Sequence, residues 1–238
     1  MRPAVRPVEP RDAVRLLVLD PHAGTWVDLE IDALPEVLRA GDLLVVNDAA
    51  TLPASLHGRT RAGEEVELRL IGPPEQDCWQ AAVLGAGTWR QRTEDRPLPP
   101  ELFEGDRIDF GGGGLVAEIR GRTPVSARLV ELTFDRDGAA LWEALYRVGR
   151  PVQYSHLEED LELWSVQTLF AGRPWAAEMP SAGRPLSWRL VQRLRSRGVG
   201  LVSITHAAGL SATGDPAIDA ALPLPERYEV PSSTVQAI

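Results

Sequence analysis

The middle of the chain, residues 58–135, constrains the fold more than any other feature of the sequence. Five short runs of strand-forming residues follow one another there, with turn-forming residues between them: 65–71, 78–84, 107–110, 115–119 and 127–134. Several short strands at such spacing are typical of a small barrel or sandwich. We therefore predict a small antiparallel β-barrel in residues 58–135, with Cys78 in the core of one of its strands.

The glycine run 111–114 lies between two of these predicted strands. A glycine-rich loop that binds phosphate stands between a strand and a helix, whereas a strand follows here. We therefore interpret the run as a flexible turn that joins two strands of the barrel.

The residues on either side of the barrel mix strand-like and helical patterns. Runs that predict strands are 14–19, 25–29, 43–46 and 199–204. Runs that predict helices are 32–38, 141–148 and 185–197. We predict an α/β main domain built from residues 1–57 and 136–238, interrupted by an inserted small antiparallel β-barrel domain, residues 58–135, with the ligand cleft between them.

The reactive side chains exclude several classes of chemistry. All 25 basic residues are arginine, so the chain has no lysine for a Schiff base or for a phosphate-binding P-loop. Cys78 is the only cysteine, which excludes an intramolecular disulfide and a cluster of thiolate ligands. The four histidines stand at no metal-ligand spacing, and we predict no metal.

The chain begins without a signal-peptide pattern, and no apolar run is long enough to span a membrane. We therefore expect a cytoplasmic protein with no membrane partner.

The protein is acidic, with a formal net charge of −9, so any contact with RNA requires a local basic patch. Arg189, Arg193 and Arg197 follow one another at four-residue spacing on the predicted helix 185–197 and form a cationic stripe. The stripe is either an ordinary solvated face or a contact for the RNA backbone.

Two polar clusters stand where binding groups are common. Asn47 and Asp48 follow the predicted strand 43–46, at the end where open α/β sheets expose their binding groups, although both types of side chain also cap turns. The loop Pro180-Ser181-Ala182-Gly183 precedes the predicted helix 185–197. Its amides could hold an anion or a ribose hydroxyl, or simply form the entry to the helix.

His206 is the best placed of the four histidines. It follows the predicted strand 199–204 and opens a loop of small residues, 207–209, whose backbone a ligand could approach. A lone histidine at a strand end is more often simply hydrogen-bonded than catalytic, and both roles remain open.

Several strings in the first half of the chain resemble the signatures of one enzyme family. Arg11-Asp12 and the residues that follow are similar to an opening signature that continues Ser-Arg-Leu-Leu-Val, with Val14 at the serine. Gly-Asp-Leu-Leu-Val-Val-Asn-Asp, residues 41–48, is similar to a second signature, and Glu65-Val66-Glu67-Leu68 continues in order. These strings resemble the S-adenosylmethionine:tRNA ribosyltransferase-isomerase family of queuosine synthesis.

The second half resembles the same family in shorter strings. The loop Pro180-Ser181-Ala182-Gly183 is similar to the family's Pro-Thr-Ala-Gly, but Pro185 stands at the family's histidine. His206 matches the histidine of Thr-Leu-His-Val-Gly, and Glu226-Arg227-Tyr228 resembles the end of Met-His-x-Glu-x-Tyr. Family members continue beyond the position of Ile238, so the resemblance identifies a divergent and C-terminally short member.

The resemblance implies an unusual transfer reaction. The ribosyl part of S-adenosylmethionine would move onto the aminomethyl group of 7-aminomethyl-7-deazaguanine at the tRNA wobble position and isomerise, giving epoxyqueuosine-tRNA and releasing adenine and methionine. S-adenosylmethionine is then a co-substrate, tRNA is the partner, and no bound prosthetic group is expected. A base must remove a proton beside the sulfonium, and an acid must assist the departure of adenine.

Several residues acquire hypothetical roles from the resemblance and from their positions. His206 or Glu226 would transfer the proton, and Arg189, Arg193 and Arg197 would contact the RNA backbone. The residues expected to bind the substrates are Arg11, Asp12, Asn47, Asp48, Pro180, Ser181, Ala182 and Gly183. The alternative is a catalytically degenerate paralogue that kept the scaffold and binds a nucleoside or RNA without this chemistry.

Overall fold

The computed structural model describes residues 4–112 and 114–238. Residues 1–3 and Gly113 of the glycine run lie outside the described residues. The strands are β1 (Arg15–Asp20), β2 (Thr25–Glu30), β3 (Leu43–Asn47), β4 (Ala49–Thr51), β5 (Ser55–Thr60), β6 (Glu65–Leu70), β7 (Trp79–Gly85), β8 (Arg107–Asp109), β9 (Val116–Arg122), β10 (Leu129–Phe134), β11 (Arg173–Ala176), β12 (Gly200–His206) and β13 (Tyr228–Glu229). The helices are α1 (Leu34–Val37), α2 (Gly138–Val148), α3 (Trp188–Ser196), α4 (Pro216–Ala221) and α5 (Ser232–Ala237).

Antiparallel strands close into a six-stranded barrel in the order β10-β7-β6-β5-β8-β9, which confirms the predicted barrel. Its strand β5 was not predicted, because Gly58 and the polar residues around it interrupt the strand pattern. A Cβ at position 58 would lie 2.7 Å from Cγ2 of Ile108 and 2.9 Å from the carbonyl oxygen of Asp109. Glycine therefore allows β5 and β8 to approach closely.

Apolar and charged residues alternate along β6, so this strand contributes apolar side chains to the barrel interior and buried charged side chains to its outer face. The interior residues of β6 are Val66, Leu68 and Leu70. On the outer face, Oε1 of Glu67 accepts hydrogen bonds from Nε of Arg69 and Oγ of Ser55, both at 2.7 Å, and Oε2 pairs with Arg96. Burial opposes the ionisation of Glu67, but the neighbouring guanidinium groups outweigh it and lower its pKa to about 2.

The rest of the chain surrounds a three-stranded sheet in the order β13-β12-β3, in which β12 and β3 are parallel. Strands β4 and β11 form a second parallel pair, and β1 and β2, which the runs 14–19 and 25–29 predicted, form an antiparallel hairpin. Residues 200–204 are only half-buried, because α3 packs on one face of a narrow sheet. The barrel strands lie between Ser55 and Phe134, and the division into a main domain and an inserted domain stays a prediction.

Helix α3 begins at Trp188, later than the predicted start at residue 185. The hydroxyl oxygen of Ser187 accepts the amide N–H of Leu190 at 3.2 Å and so caps the helix, whereas Pro185 precedes it. The face that α3 packs on the sheet consists of Leu190, Val191 and Leu194.

Candidate active site

His206 and Glu226, which are far apart in sequence, form the central contact of the candidate site. Nε2 of His206 lies 2.6 Å from Oε2 of Glu226, and we refer to this pair as the dyad. His206 lies opposite Tyr228 in the β12–β13 ladder, so Glu226, two residues before Tyr228, lies on the same face. The two side chains are 41% and 25% exposed, so a ligand can reach both.

The loop after β12 holds the second oxygen of Glu226. Its Oε1 atom accepts the amide N–H of Gly209 at 2.6 Å. A Cβ at position 209 would lie 2.8 Å from the same oxygen, so this close approach depends on glycine. The carboxylate is thereby fixed at both oxygens and orients the imidazole, as in catalytic histidine–carboxylate pairs.

Asn47 ties the end of β3 to His206. Its Nδ2 donates to the carbonyl oxygen of His206 at 2.8 Å, and its Oδ1 accepts the amide N–H groups of His206 and Ala49, both at 3.0 Å. The side chain therefore holds the backbone of His206 on both sides and also caps the turn after β3. Its role in binding a substrate stays a prediction.

Asp48 follows Asn47 in the chain, but its side chain contacts the opposite face of the sheet. Its carboxylate accepts hydrogen bonds from the hydroxyl groups of Ser203 at 3.0 Å and Thr205 at 2.6 Å. Ser203 and Thr205 alternate with His206 along β12, so Asp48 lies on the face opposite the dyad.

The loop Pro180-Ser181-Ala182-Gly183 forms a short 3-10 turn. The sequence predicted that this loop leads directly into the helix, but α3 begins only at Trp188. The amide of Gly183 donates to the carbonyl of Pro180 at 3.0 Å, and that of Arg184 donates to Ser181 at 3.1 Å. These amides are used inside the turn because the helix begins further along the chain. Ser181 and Ala182 are exposed, and their role in binding a substrate stays a prediction.

Arg11 and Asp12 make contacts within the chain that anchor the N-terminal segment. Nη1 of Arg11 donates to the carbonyl of Gln167 at 2.6 Å. Asp12 is buried and accepts from Oγ of Ser187 at 2.6 Å and from Nη2 of Arg189 at 3.0 Å. The Ser187 hydroxyl, together with the Arg189 guanidinium, holds the pKa of Asp12 below its ordinary value.

The arginine stripe on α3 faces carboxylates from the N-terminal part of the chain. Arg189 lies 2.9 Å from Asp32, Arg193 lies 2.7 Å from Asp32 and 3.0 Å from Glu36, and Arg197 lies 3.8 Å from Glu36. These contacts neutralise much of the stripe. The predicted contact of the stripe with RNA stays a prediction.

A cavity of about 610 Å³ opens next to Glu226, and it is lined by residues of the barrel and of the segments outside it. The residues on the barrel side include Gly72, Cys78, Gln80 and Glu131, and those on the other side include Ala207, Leu224, Pro225, Glu226 and Arg227. Cys78 is half-buried in a turn before β7 and not in a strand core as predicted.

A polar cluster that contacts the loop 207–211 was not predicted from the sequence. Tyr154 donates its hydroxyl hydrogen to Oε1 of Glu178, and the same oxygen accepts the amide N–H of Ser211 at 2.8 Å. Burial and the Glu178 carboxylate raise the pKa of Tyr154, so the phenol stays protonated. Tyr154 ends a string, 149–154, that only faintly resembles a family signature, and this was the available signal.

Among residues 4–112 and 114–238, no group of three or more histidine, cysteine, aspartate or glutamate side chains is placed to hold a metal ion. In the same part of the chain, no helix combines the length and apolarity needed to cross a bilayer.

Comparison with known proteins gives a family and several relatives. The model of a family described as queuosine biosynthesis protein matches residues 2–238. A protein from Moorella thermoacetica named S-adenosylmethionine:tRNA ribosyltransferase-isomerase is 35% identical, over 87% of this chain and 57% of the relative. A protein of the same name from Anaeromyxobacter sp. (strain Fw109-5) is 34% identical, over 99% of this chain and 66% of the relative. The chain thus spans less than two thirds of the length of these relatives.

Among solved structures, the chain is similar to a crystal structure of S-adenosylmethionine tRNA ribosyltransferase from Thermotoga maritima. The identity is 23%, the TM-score is 0.36, and the match covers 98% of this chain and 60% of that one.

Proposed function

Because the chain belongs to the queuosine biosynthesis protein family, we propose that it acts as an S-adenosylmethionine:tRNA ribosyltransferase-isomerase. S-adenosylmethionine is the co-substrate, and its ribosyl part is transferred to the aminomethyl group of 7-aminomethyl-7-deazaguanine at the tRNA wobble position. The transferred group isomerises to give epoxyqueuosine-tRNA, and adenine and methionine leave. A cytoplasmic location is part of this proposal, since tRNA is the partner.

The dyad beside the cavity is the observation that carries this proposal. When Nε2 of His206 donates to Glu226, the lone pair of the neutral imidazole is on Nδ1, which accepts no hydrogen bond from a described residue. Nδ1 is then the base that removes a proton from the carbon beside the sulfonium, whose positive charge acidifies that position. Glu226 stabilises the imidazolium that forms, and the imidazolium can protonate adenine as it leaves.

The cavity supports the nucleoside part of the proposal. Its volume of about 610 Å³ lies within the usual range for small-ligand sites. On its barrel wall, Gln80 offers an amide and Glu131 a carboxylate to the edge of a base. The wobble base would enter in an unstacked conformation, as bases do in enzymes that modify them.

The reaction itself is the test. Purified protein is mixed with S-adenosylmethionine and tRNA that carries the aminomethyl-deazaguanine, adenine and methionine are followed by chromatography, and the wobble nucleoside is analysed by mass. We expect His206→Gln and Glu226→Gln each to lower turnover about a hundredfold or more, the usual contribution of a positioned acid–base group. Arg195→Gln, at an exposed position of α3, is the matched control and should keep wild-type turnover. No adenine release by the wild-type protein, where a longer relative reacts, would overturn the proposal.

Binding of a nucleoside or RNA without catalysis is the second candidate function. It is favoured by Pro185, which stands at the family's histidine and whose side chain has no proton to transfer. In the same assay, retention of S-adenosylmethionine or tRNA by a protein that releases no adenine would support this function instead.

A further inference from the structure

Arg227 lies over the indole ring of Trp175 at the edge of the cavity. The guanidinium carbon is 4.2 Å from the ring centre, and the guanidinium of Arg173 is 5.5 Å from the same centre. Both distances are within the range of cation–π contacts. Trp175 belongs to β11 and Arg227 directly precedes β13, so the contact joins two separate sheets.

The donors of Arg227 are free, unlike those of neighbouring arginines. Arg173 pairs with Glu229 at 2.5 Å, and Arg189, Arg193 and Arg197 pair with carboxylates as described above. Arg227 is exposed and has no hydrogen bond from its side chain, and no ion pair within 4.0 Å, to any residue that the structure describes. In a protein with a net charge of −9, Arg227 is therefore a local cation with available N–H groups.

The position of Arg227 links it to the candidate active site. Arg227 and the dyad residue Glu226 line the same cavity. The backbone of Trp175 lies close to the barrel side of the cavity, since a Cβ at Gly72 would lie 3.8 Å from the Trp175 carbonyl oxygen. A strand of RNA whose base occupies the cavity would therefore run past Arg227.

We propose that Arg227, held on Trp175, binds a backbone phosphate of the RNA beside the nucleotide that enters the cavity. This proposal rests on the proposed function, which supplies RNA as the substrate. An aromatic ring under one face of a guanidinium leaves the N–H edge free, and that edge matches two phosphate oxygens. The stacking also restricts Arg227 before RNA arrives, which reduces the side-chain entropy lost on binding.

The test measures RNA binding without chemistry. A fluorescent anticodon stem-loop RNA is titrated with the protein at several salt concentrations, without S-adenosylmethionine. For Arg227→Gln we expect about tenfold weaker binding and a slope of log K against log salt that is smaller by about 0.7, the value for one phosphate contact on single-stranded RNA. Trp175→Leu should weaken binding and keep the slope, because the charge remains. Arg195→Gln is the control and should change neither quantity.

A second readout separates binding from catalysis. In the adenine-release assay, the KM of Arg227→Gln for the RNA should rise about tenfold and account for most of the loss of kcat/KM, since Arg227 contributes to binding and not to proton transfer. Its melting temperature should fall only slightly, because the exposed side chain loses a single cation–π contact.

Each outcome has a defined meaning. If the wild-type protein binds the RNA and Arg227→Gln binds with the same affinity and slope, the inference is wrong and the proposed function stands. Weaker binding with an unchanged slope also overturns the inference, because Arg227 would then contact a base and not a phosphate. If the wild-type protein binds no RNA, the inference and the proposed function fail together.

Discussion

Gly209 determines how closely Glu226 approaches the loop after β12. In Gly209→Ala the new Cβ would lie 2.8 Å from Oε1 of Glu226, so the carboxylate must shift from the position in which it contacts Gly209 and His206. We expect turnover to fall about tenfold or more, because misplaced catalytic groups lose much of their effect. The melting temperature should change little, since the atom displaced is the end of a flexible side chain. Adenine release and thermal unfolding measure the two effects.

Gly112→Ala is the matched control for this substitution. Apart from its chain neighbours, a Cβ at position 112 meets no atom of the described residues within 4 Å, so the variant should keep both turnover and melting temperature. Equal turnover of Gly209→Ala and the wild type would show that the position of the Glu226 carboxylate does not matter for the reaction.

The sequence predicted both members of the dyad but not their contact. His206 was identified from its place at the end of a predicted strand and, like Glu226, from a string that resembles a family signature, and each of these signals is local. Their contact depends on the pairing of β12 with β13, a two-residue strand that no periodicity can reveal. The role of Asn47 was hidden for the same reason, because its partner is the backbone of a residue distant in sequence.

At the scale of the elements, α3 offers a test of the arginine stripe. Arg193→Gln removes contacts with Asp32 and Glu36, and the Arg193 side chain is 36% exposed. We expect the free energy of unfolding to fall only slightly, because solvent screens ion pairs at the surface. Affinity for the stem-loop RNA should stay within about twofold, since the charge is already paired. Urea unfolding and RNA titration measure the two quantities, and much weaker RNA binding at unchanged stability would favour the RNA contact predicted from the sequence.

The elements that the sequence predicted well are those whose pattern is local. The barrel strands β6, β7, β8, β9 and β10 have apolar runs bounded by turns, and the structure forms all of them. Strand β5 was missed because Gly58 weakens its pattern, and glycine is needed there only because β8 lies against it. The start of α3 was misplaced because Pro185 resembles a first helical residue, while the cap is Ser187.

At the scale of the whole molecule, buried charges join the barrel to the segments that cross its outer face. The side chains of Glu67, Arg69 and Arg96 are at most 2% exposed, and Ser55, which bonds Glu67, also exchanges two backbone hydrogen bonds with Arg150. Charged residues in a strand normally indicate an exposed face, so this cluster could not be predicted from the residue pattern. Such a cluster is stable only while Glu67 is ionised, because the buried guanidinium groups need a counter-charge.

The stability of the protein should therefore fall on acidification through Glu67. Its pKa is about 2 in the folded chain, below the ordinary value of 4.5, so the stabilisation is complete above that ordinary value and is lost as the pH falls towards 2. The shift corresponds to about 3 kcal/mol, of which about 2 kcal/mol is lost by about pH 3. Urea unfolding from about pH 7 down to about pH 3 measures the free energy of unfolding of each variant.

Glu67→Gln isolates this contribution because its amide cannot ionise. The variant should be less stable at neutral pH, because Arg69 and Arg96 lose their counter-charge. Between about pH 7 and about pH 3, its free energy of unfolding should fall by about 2 kcal/mol less than that of the wild type. Glu104→Gln, at an exposed position, should keep the wild-type dependence. If the free energy of unfolding of Glu67→Gln depends on pH as the wild type's does, other carboxylates must account for the acid sensitivity of the fold. The ionised Glu67 would then not be the group that stabilises the outer face of the barrel.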